Sequence, residues 1–261
     1  MQLLARGSRV VATTRDPETL DALRESSRAG EALILKRDVT NPAEIAFAVA
    51  AAQARFGGID VLVNNAGIGY FAAVEEGEDA EIRRMFDVNL FGMGAMIRAV
   101  LPDMRRRRSG FIVNMSSIGG LSSYPAIGWY NASKFAVEGL SEALWQEVEP
   151  LGIRVMLVEP SGFRTDWAGR SAHESRQHIA DYASTAGKAR LGVRAMSGHQ
   201  DGDPVRAVAA IIKAVEGANS PHHLLLGNGA YDGAIAKLSA LRGDFEAWEA
   251  VSRGADFPRM G

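Results

Sequence analysis

The 261-residue chain contains no cysteine. This absence excludes a disulfide scaffold, a thiolate nucleophile and a zinc site with cysteine ligands. The chain also has no large excess of one charge, since it contains 29 Lys and Arg residues and 31 Asp and Glu residues. No nucleic-acid-binding surface is therefore expected. No apolar run reaches the about 18 residues that span a membrane, and arginines interrupt the N-terminal segment where a signal peptide has its apolar core. We expect a cytoplasmic protein with neither nucleic acid nor membrane as partner.

Short apolar runs alternate with longer stretches of helical length. The candidate strands are residues 8–14, 32–35, 59–63, 111–114, 155–158 and 224–226. The candidate helices are residues 18–28, 42–56, 80–107, 130–149, 204–216 and 230 to about 252. Strands separated by helices pair in parallel through right-handed crossovers. The sequence therefore predicts an α/β fold, a Rossmann-type doubly wound parallel sheet, as a single domain over residues 1–261.

Two long segments show opposite patterns. Residues 80–107 carry an apolar stripe at three- and four-residue steps, which predicts one helix: Phe86, Leu90, Met93, Ile97 and Leu101. Residues 167–203 are rich in Ser, Gly, His and charge and show little periodicity. Such long irregular stretches in compact domains are usually functional or disordered. We interpret residues 163–203 as a substrate lid and residues 230–261 as a C-terminal helical tail.

Four polar residues form a candidate catalytic set. Tyr130 and Lys134 lie four residues apart in Y-N-A-S-K, with Ser117 thirteen residues before the tyrosine and Asn89 further upstream. Positions i and i+4 share a helix face, and an ammonium about 4 Å from a phenol would lower the phenol pKa by roughly three units, to near neutrality. Such a phenol is an effective general acid or base, and Ser117 can polarise the same substrate oxygen. The pair alone also fits a solvated helix face.

Six motifs in order resemble those of the short-chain dehydrogenase/reductase family. They are Asp38-Val39, N-N-A-G at 64–67, Asn89, N-M-S-S at 114–117, Y-x-x-x-K at 130–134 and P-x-x-x-x-T at 160–165. The resemblance implies that Tyr130 is the acid in carbonyl reduction and the base in alcohol oxidation. It also implies that Lys134 lowers the Tyr130 pKa and binds the nicotinamide ribose, that Ser117 holds the substrate oxygen, and that Asn89 holds a water linking Lys134 to solvent.

The resemblance also implies cofactor contacts. The positions it assigns to them are Asp38, Val39, Asn64, Ala66, Gly67, Tyr130, Lys134 and Thr165. Asp38 would contact the adenine, and Thr165 would bind near the nicotinamide amide or the pyrophosphate. Each assignment has an ordinary structural alternative, such as a turn residue for Asn64 or a packed polar residue for Asn89. Ser161 stands where the family usually has glycine, which weakens the assignment of Thr165.

The end of the second family strand indicates which nicotinamide cofactor is used. An acidic residue there pairs with the ribose hydroxyls of NAD, whereas an arginine accommodates the 2′-phosphate of NADP. This chain has Thr14 and then Arg15 at that point, which favours NADP. Asp16 follows directly and keeps NAD open.

The front of the chain departs from the family. Residues 1–6 fit the end of a helix, Gly7 its C-terminal glycine, and Ser8 the start of the second family strand. The first strand and the glycine-rich turn, roughly 15–20 residues of a strand–helix–strand unit, have no counterpart. That strand is central in the order 3-2-1-4-5-6. Two hypotheses stay open: Met1 is an internal methionine of a longer protein, or the chain is shortened and binds cofactor poorly.

The arginine run, the histidines, Trp167 and the apolar stripes outside the motifs are interpreted from local chemistry. The run Arg105–Arg108 fits a solvated helix end that complements the helix dipole. The five histidines show no metal-binding spacing, so no metal is assigned. Trp167 would either touch substrate or anchor the lid. Apolar stripes on the helices carrying Asn89 and Tyr130, with the family resemblance, imply a homodimer or homotetramer.

The sequence thus predicts an oxidoreductase that transfers a hydride between NADP(H), or NAD(H), and a small alcohol or carbonyl substrate. The alternative is a non-catalytic nucleotide-sensing or interaction protein that retains the fold. The intact catalytic set opposes that alternative, and the missing glycine-rich turn favours it.

Overall fold

The structure is a computed structural model that describes residues 1–28, 30–169 and 172–257. Its strands are β1 (Val10–Thr14), β2 (Ala32–Lys36), β3 (Val61–Asn64), β4 (Gly69–Phe71), β5 (Gly110–Met115), β6 (Ile153–Pro160), β7 (Ala172–Glu174) and β8 (His223–Leu226). Its α-helices are α1 (Gln2–Ala5), α2 (Asp21–Ser26), α3 (Pro42–Phe56), α4 (Asp79–Phe86), α5 (Met93–Arg107), α6 (Gly128–Val148), α7 (Lys188–Ala195), α8 (Pro204–Glu216), α9 (Asn228–Ala247) and α10 (Glu249–Arg253). Each predicted strand and helix has a counterpart, so the predicted alternation is confirmed.

Local chemistry sets the ends of the predicted helices. Asn41 accepts hydrogen bonds from the backbone N–H groups of Ala43 and Glu44, and Pro42 occupies the first turn of α3. Gly57 follows with φ 86° and ends that helix. Asp203 and Pro204 start α8 in the same way. These caps are visible in the sequence, and both helices have the predicted bounds.

The main strands are parallel, as predicted, but they form two separate sheets. One contains β1 and β2, and the other has the order β3-β5-β6-β8. Within the part of the chain that the structure describes, no strand lies between β1 and β3, where the doubly wound order has its first strand. Val61 and Val63 of β3 are 40% and 45% exposed. The prediction of a Rossmann-type sheet without its first strand is confirmed.

Helices cover both faces of the larger sheet. On one face, α3, α5 and α6 pack on it around a core that includes Val100, Ile112 and Leu157. On the other face, α8 packs against Phe111, Val113 and Val158. Coverage of both faces is what a parallel sheet requires, and it leaves the carboxyl ends of the strands as the open edge where ligands bind in such folds.

The predicted continuous helix over residues 80–107 is wrong in one detail. A π-helix, Asp87–Gly92, separates α4 from α5. The apolar stripe is correct, because Met93 and Ile97 are buried and Leu90 and Leu101 pack on the same core. A π-helix inserts an extra residue per turn and is frequent at functional sites. It begins two residues before Asn89.

The run Arg105–Arg108 ends α5, as predicted, but it is not simply a solvated face. Arg106 and Arg107 both pair with Asp103, which is buried. Arg107 also donates to the backbone oxygen of Ile59. The arginines therefore tie the end of α5 to the start of β3.

The predicted lid is more regular than its composition indicates. It contains β7 and α7, the short 3-10 helices Asp166–Ala168 and Ala180–Tyr182, and the π-helix Ala183–Gly187; residues 170 and 171 lie outside the described part. Strand β7 pairs in parallel with β4. The prediction of an irregular segment is therefore wrong, because tertiary pairing with β4 overrides weak local periodicity.

The predicted C-terminal helical tail is present as α9 and α10, which meet at Trp248; residues 258–261 lie outside the described part. Among the described residues, no helix combines the length and apolar character that crossing a membrane requires.

Candidate active site

Ser117 follows the carboxyl end of β5. Its side-chain oxygen accepts a 3.0 Å hydrogen bond from the Gly119 N–H and so caps the 3-10 helix Ile118–Gly120. With that oxygen used as an acceptor, the hydroxyl hydrogen remains a donor. The Ser117 side chain lies close enough to the Tyr130 phenol to oppose part of the rise in the phenol pKa.

Tyr130 and Lys134 lie one turn apart near the start of α6, and both are buried, at 6% and 5% exposed. The Lys134 Nζ is 5.7 Å from the centre of the Tyr130 ring and donates a 2.7 Å hydrogen bond to the Met115 carbonyl oxygen. Met115 ends the strand that leads to Ser117. The structure therefore brings together Ser117, Tyr130 and Lys134, as the sequence predicts.

The predicted fall in the Tyr130 pKa is wrong. Burial raises the pKa of Tyr130 to about 12, and the nearby Ser117 side chain only partly opposes this rise. Burial also lowers the pKa of Lys134 to about 8, with Glu138 opposing the change. Removal from water disfavours the charged form of both groups. At neutral pH this site therefore holds a protonated phenol beside an ammonium.

Asn89 lies in the π-helix and is 2% exposed. Its side-chain oxygen accepts from the Ile68 N–H at 2.8 Å, and its amide nitrogen donates to the Ile68 carbonyl and to Ser133 Oγ. A methyl group added to Gly67 would lie 3.4 Å from Asn89 Oδ1 and 3.7 Å from Lys134 Nζ. Asn89 thus holds the loop after β3 beside Lys134, and its role toward a bound water stays a prediction.

The N-N-A-G segment lies at the carboxyl end of β3. The amide nitrogen of Asn64 donates to Asn114 Oδ1 at 2.8 Å, and Asn114 in turn donates to Ser141 Oγ on α6. Ala66 is exposed and Gly67 is partly exposed. Asn64 therefore joins two strands and a helix, and the contact of Asn64, Ala66 and Gly67 with a cofactor stays a prediction.

The residues assigned to the adenosine end lie at the carboxyl ends of β1 and β2. Arg15 is exposed and lies close enough to Asp38 to help hold the pKa of that carboxyl low. The main cause of the low pKa is the pair of hydrogen bonds from the Thr40 N–H and hydroxyl. Val39 is largely buried against Gly92, where an added methyl group would lie 2.9 Å from the valine side chain.

Thr165 and Trp167 begin the predicted lid. Thr165 is exposed and its hydroxyl oxygen accepts from the Trp167 N–H. The Trp167 ring lies 4.8 Å from the Tyr130 ring and 5.7 Å from the Phe71 ring, measured between centroids. Trp167 therefore packs the start of this segment against the core and also borders the phenol, and its contact with substrate stays a prediction.

Sequence reasoning did not single out two residues at this edge of the sheet. Gly119 faces the catalytic pair, because a methyl group there would lie 3.3 Å from Ser117 Oγ and 3.4 Å from Tyr130 Cε1. The guanidinium of Arg37 bonds Thr13 Oγ1 through Nε, while its buried Nη1 has no partner among the described residues. The glycine pair that begins two residues after Ser117 and the arginine directly before Asp38 were the available signals.

Comparison with known proteins shows the family of the chain. The family model for short chain dehydrogenases matches residues 1–176. The chain belongs to that family. The 3-ketodihydrosphingosine reductase of Bacteroides thetaiotaomicron is 38% identical over 226 residues, which cover 86% of this chain and 81% of that protein.

Two solved structures of this family are similar to the chain. A short-chain dehydrogenase from Streptomyces avermitilis has a TM-score of 0.91 at 40% identity, covering 98% of this chain and 92% of that chain. A metagenomic short-chain oxidoreductase in complex with NADP has a TM-score of 0.57 at 32% identity, covering 63% of this chain and 76% of that chain. The first similarity extends over nearly the whole chain, including the predicted lid.

Proposed function

We propose that the protein transfers a hydride between NADP(H) and an alcohol or carbonyl substrate, with Tyr130 as the general acid and base. The observation that carries this proposal is the buried arrangement of Ser117, Tyr130 and Lys134 at the open edge of the sheet. Enzymes of the same family with reductase or dehydrogenase activity in their names support it. NAD(H) remains the second choice of cofactor.

The donors at the ends of β1 and β2 fit a phosphorylated adenosine. Arg15 is exposed there, and the buried Arg37 Nη1 has no partner among the described residues. Two guanidinium groups at neighbouring strand ends suit a 2′-phosphate better than ribose hydroxyls alone. The similar oxidoreductase in complex with NADP supports the same choice.

Lys134 and Thr165 are proposed to hold the nicotinamide end of the cofactor, which would supply the hydride for the carbonyl carbon in the reductive direction. Tyr130 gives its phenolic proton to the carbonyl oxygen, and the Ser117 hydroxyl holds that oxygen. The Lys134 ammonium stabilises the phenolate that remains. One of the three N–H groups of the Lys134 ammonium donates to the Met115 carbonyl oxygen. The other two can donate to a ribose hydroxyl and to the phenolate.

The Tyr130 phenol is in the protonation state that carbonyl reduction requires. With a pKa of about 12 it is protonated at neutral pH and can donate its proton to a carbonyl oxygen.

The walls around the phenol suit a substrate of medium size that is partly apolar. Trp167 and Phe71 form an aromatic wall beside Tyr130, and residues 163–203 are proposed as the lid. The similar reductase of Bacteroides thetaiotaomicron has a ketone substrate in its name, which supports a ketone as the substrate class.

The non-catalytic alternative is less favoured. A nucleotide sensor has no need of a buried phenol close to a serine hydroxyl, and burying that phenol beside Lys134 disfavours the charged form of both groups. The cytoplasmic location stays a prediction.

We propose that the protein assembles as a homodimer or homotetramer through its central helices. Phe91, Phe135 and Leu140, in the π-helix and on α6, are 62%, 42% and 42% exposed. Large apolar side chains left at the surface mark association sites. Light scattering of the purified protein measures the mass, and a monomer at micromolar concentration would contradict this part.

The experiment that tests the proposed function follows nicotinamide absorbance while the purified protein reacts with a panel of ketones and aldehydes. We expect turnover with NADPH to exceed turnover with NADH. Arg15→Ala should raise the KM for NADPH roughly tenfold or more while leaving that for NADH unchanged, because one phosphate contact is lost. Arg24→Ala, which removes an exposed arginine paired with Asp21 on α2, is the control. No turnover with either cofactor across the panel would contradict the proposal.

A further inference from the structure

A second group of ionisable side chains lies between α6 and the sheet. Glu138 follows Lys134 by one helical turn, Glu159 lies near the end of β6, and His223 begins β8. The His223 Nδ1 is 2.6 Å from Glu159 Oε1 and 3.7 Å from Glu138 Oε2. One possible ligand atom from each residue lies within 4.8 Å of the others.

Apart from Glu159 Oε1, which bonds His223, the side-chain oxygen atoms of this group are buried and make no hydrogen bond of normal geometry among the described residues. Among the described residues, five buried side-chain atoms lack a partner, and four belong here: Ser116 Oγ, Glu138 Oε1, Glu138 Oε2 and Glu159 Oε2. Glu138 is 4% exposed and Glu159 is fully buried. A buried polar atom without a partner costs about 1–3 kcal/mol, and more when charged. Because these four atoms lie together, we infer that they share one bound partner.

The electrostatics point the same way. Burial raises the pKa of Glu138 to about 7, and burial also raises the pKa of Glu159. The hydrogen bond from His223 opposes the rise at Glu159 and raises the pKa of the histidine. Two buried carboxyl groups repel each other as anions, so a cation between them would relieve this repulsion.

We propose that Glu138, Glu159 and His223 form a binding site for one divalent transition-metal ion, with Zn²⁺ as the best fit. One imidazole nitrogen with two carboxylate oxygens suits Zn²⁺, whereas Mg²⁺ and Ca²⁺ prefer oxygen ligands alone. Ligands about 2.1 Å from one ion lie roughly 3.5 Å from each other. The 3.7 Å between His223 Nδ1 and Glu138 Oε2 is close to that spacing, and the 2.6 Å hydrogen bond between His223 and Glu159 would have to widen to it as the ion enters.

The surroundings of the site favour such an ion. The His223 side chain is 38% exposed and offers a path from solvent. Its ring packs edge-on against Trp145, 5.4 Å between centroids, which fixes its orientation. A methyl group on Gly120 would lie 2.6 Å from Ser116 Oγ and 2.9 Å from Glu138 Oε1. Ser116 is therefore adjacent to the ligand atoms and is a candidate fourth ligand, directly or through water.

The test is calorimetric titration of the full chain, after treatment with a chelator, with ZnCl₂ and separately with MgCl₂. We expect one Zn²⁺ per chain, with a dissociation constant below about 10 µM, and no binding of Mg²⁺. Glu159→Gln and His223→Gln should each weaken Zn²⁺ binding roughly tenfold or more. Glu142→Gln and His222→Gln are matched controls, since Glu142 is exposed on α6 and His222 stacks on Trp145; both should bind as the unchanged chain does.

Three results would overturn the proposal: no Zn²⁺ binding by the unchanged chain, binding that persists in both His223→Gln and Glu159→Gln, or loss of binding in His222→Gln. The first would mean that the two carboxyl groups share protons instead.

Thermal unfolding of metal-free variants checks that each one folds. Should Glu159→Gln fail to fold, the half-exposed His223→Gln carries the test. Visible absorption bands of bound Co²⁺ that change in His223→Gln give an independent reading.

Discussion

Lys134 is buried beside Tyr130. Among the described residues, its side chain makes one hydrogen bond, to the Met115 carbonyl oxygen. Burial lowers its pKa from 10.5 to about 8. The side chain is therefore an ammonium below about pH 8 and loses its charge above that pH. In the proposed mechanism this charge stabilises the phenolate left on Tyr130, so the residue matters most in its protonated form.

The pH dependence of carbonyl reduction tests this role. We expect the rate to fall as pH rises through about 8, because the ammonium is lost there. Lys134→Met should react roughly 100-fold more slowly and should show no such fall. The rate is measured with saturating cofactor and substrate at each pH. A rate for the unchanged chain that stays level well above pH 8 would argue against this assignment.

Gly119 gives a second prediction at the residue scale. A methyl group there would be 3.3 Å from Ser117 Oγ and 3.4 Å from the Tyr130 ring, so Gly119→Ala should displace the catalytic pair and reduce kcat roughly tenfold. Gly139→Ala is the control, because a methyl group at that position on α6 meets no atom within 4 Å. The control should keep full activity and raise the free energy of unfolding by about 0.5–1 kcal/mol. Equal activity of the two variants would contradict the role of Gly119.

At the scale of elements, the segment proposed as the lid is held by a buried ion pair. Arg190 of α7 lies 3.2 Å from Glu76 and 3.0 Å from Glu174 of β7, and Glu76 is 3% exposed. Although burial opposes it, hydrogen bonds from the Ala73 and Ile179 N–H groups and the Arg190 charge hold the pKa of Glu76 low. Glu76 therefore joins the loop after β4 to the part of the predicted lid that follows β7.

Removing that arginine should loosen the lid. Arg190→Ala leaves the Glu76 carboxylate buried without its cation, and we expect the free energy of unfolding to fall by about 3 kcal/mol or more. Arg176→Ala, at an exposed position of the same segment, should change it by less than about 0.5 kcal/mol. Denaturant unfolding followed by circular dichroism measures both. Equal stability of the two variants would show that the pair does not hold the lid.

The elements also show which parts of the site the sequence could predict. Ser117, Tyr130 and Lys134 were identifiable because strand-end position and helical spacing are local properties. The burial that sets the Tyr130 pKa was not visible, since it depends on how α6 packs against β6 and the 3-10 helix Ile118–Gly120 and on Trp167 from the predicted lid. The grouping of Glu138, Glu159 and His223 was equally hidden, because parallel pairing of β6 with β8 brings together residues far apart in the chain.

At the scale of the whole molecule, strands and helices were predicted well because caps and apolar runs mark them. The main strands form two sheets because, among the described residues, no strand lies between β1 and β3. The order within the lid was missed, since β7 is short and gains its pairing from β4. Helices on both faces leave one open edge of the sheet, and the predicted catalytic and cofactor residues gather along it.

The central claim is that the buried Tyr130 phenol transfers the proton in the redox reaction. Its most direct test compares Tyr130→Phe with Tyr231→Phe, an exposed tyrosine on α9, in NADPH-dependent reduction of the best ketone found in the panel. We predict that Tyr130→Phe lowers kcat by roughly 1000-fold with unchanged thermal unfolding, while Tyr231→Phe retains full activity. Turnover by Tyr130→Phe within a few-fold of the unchanged chain would contradict the account.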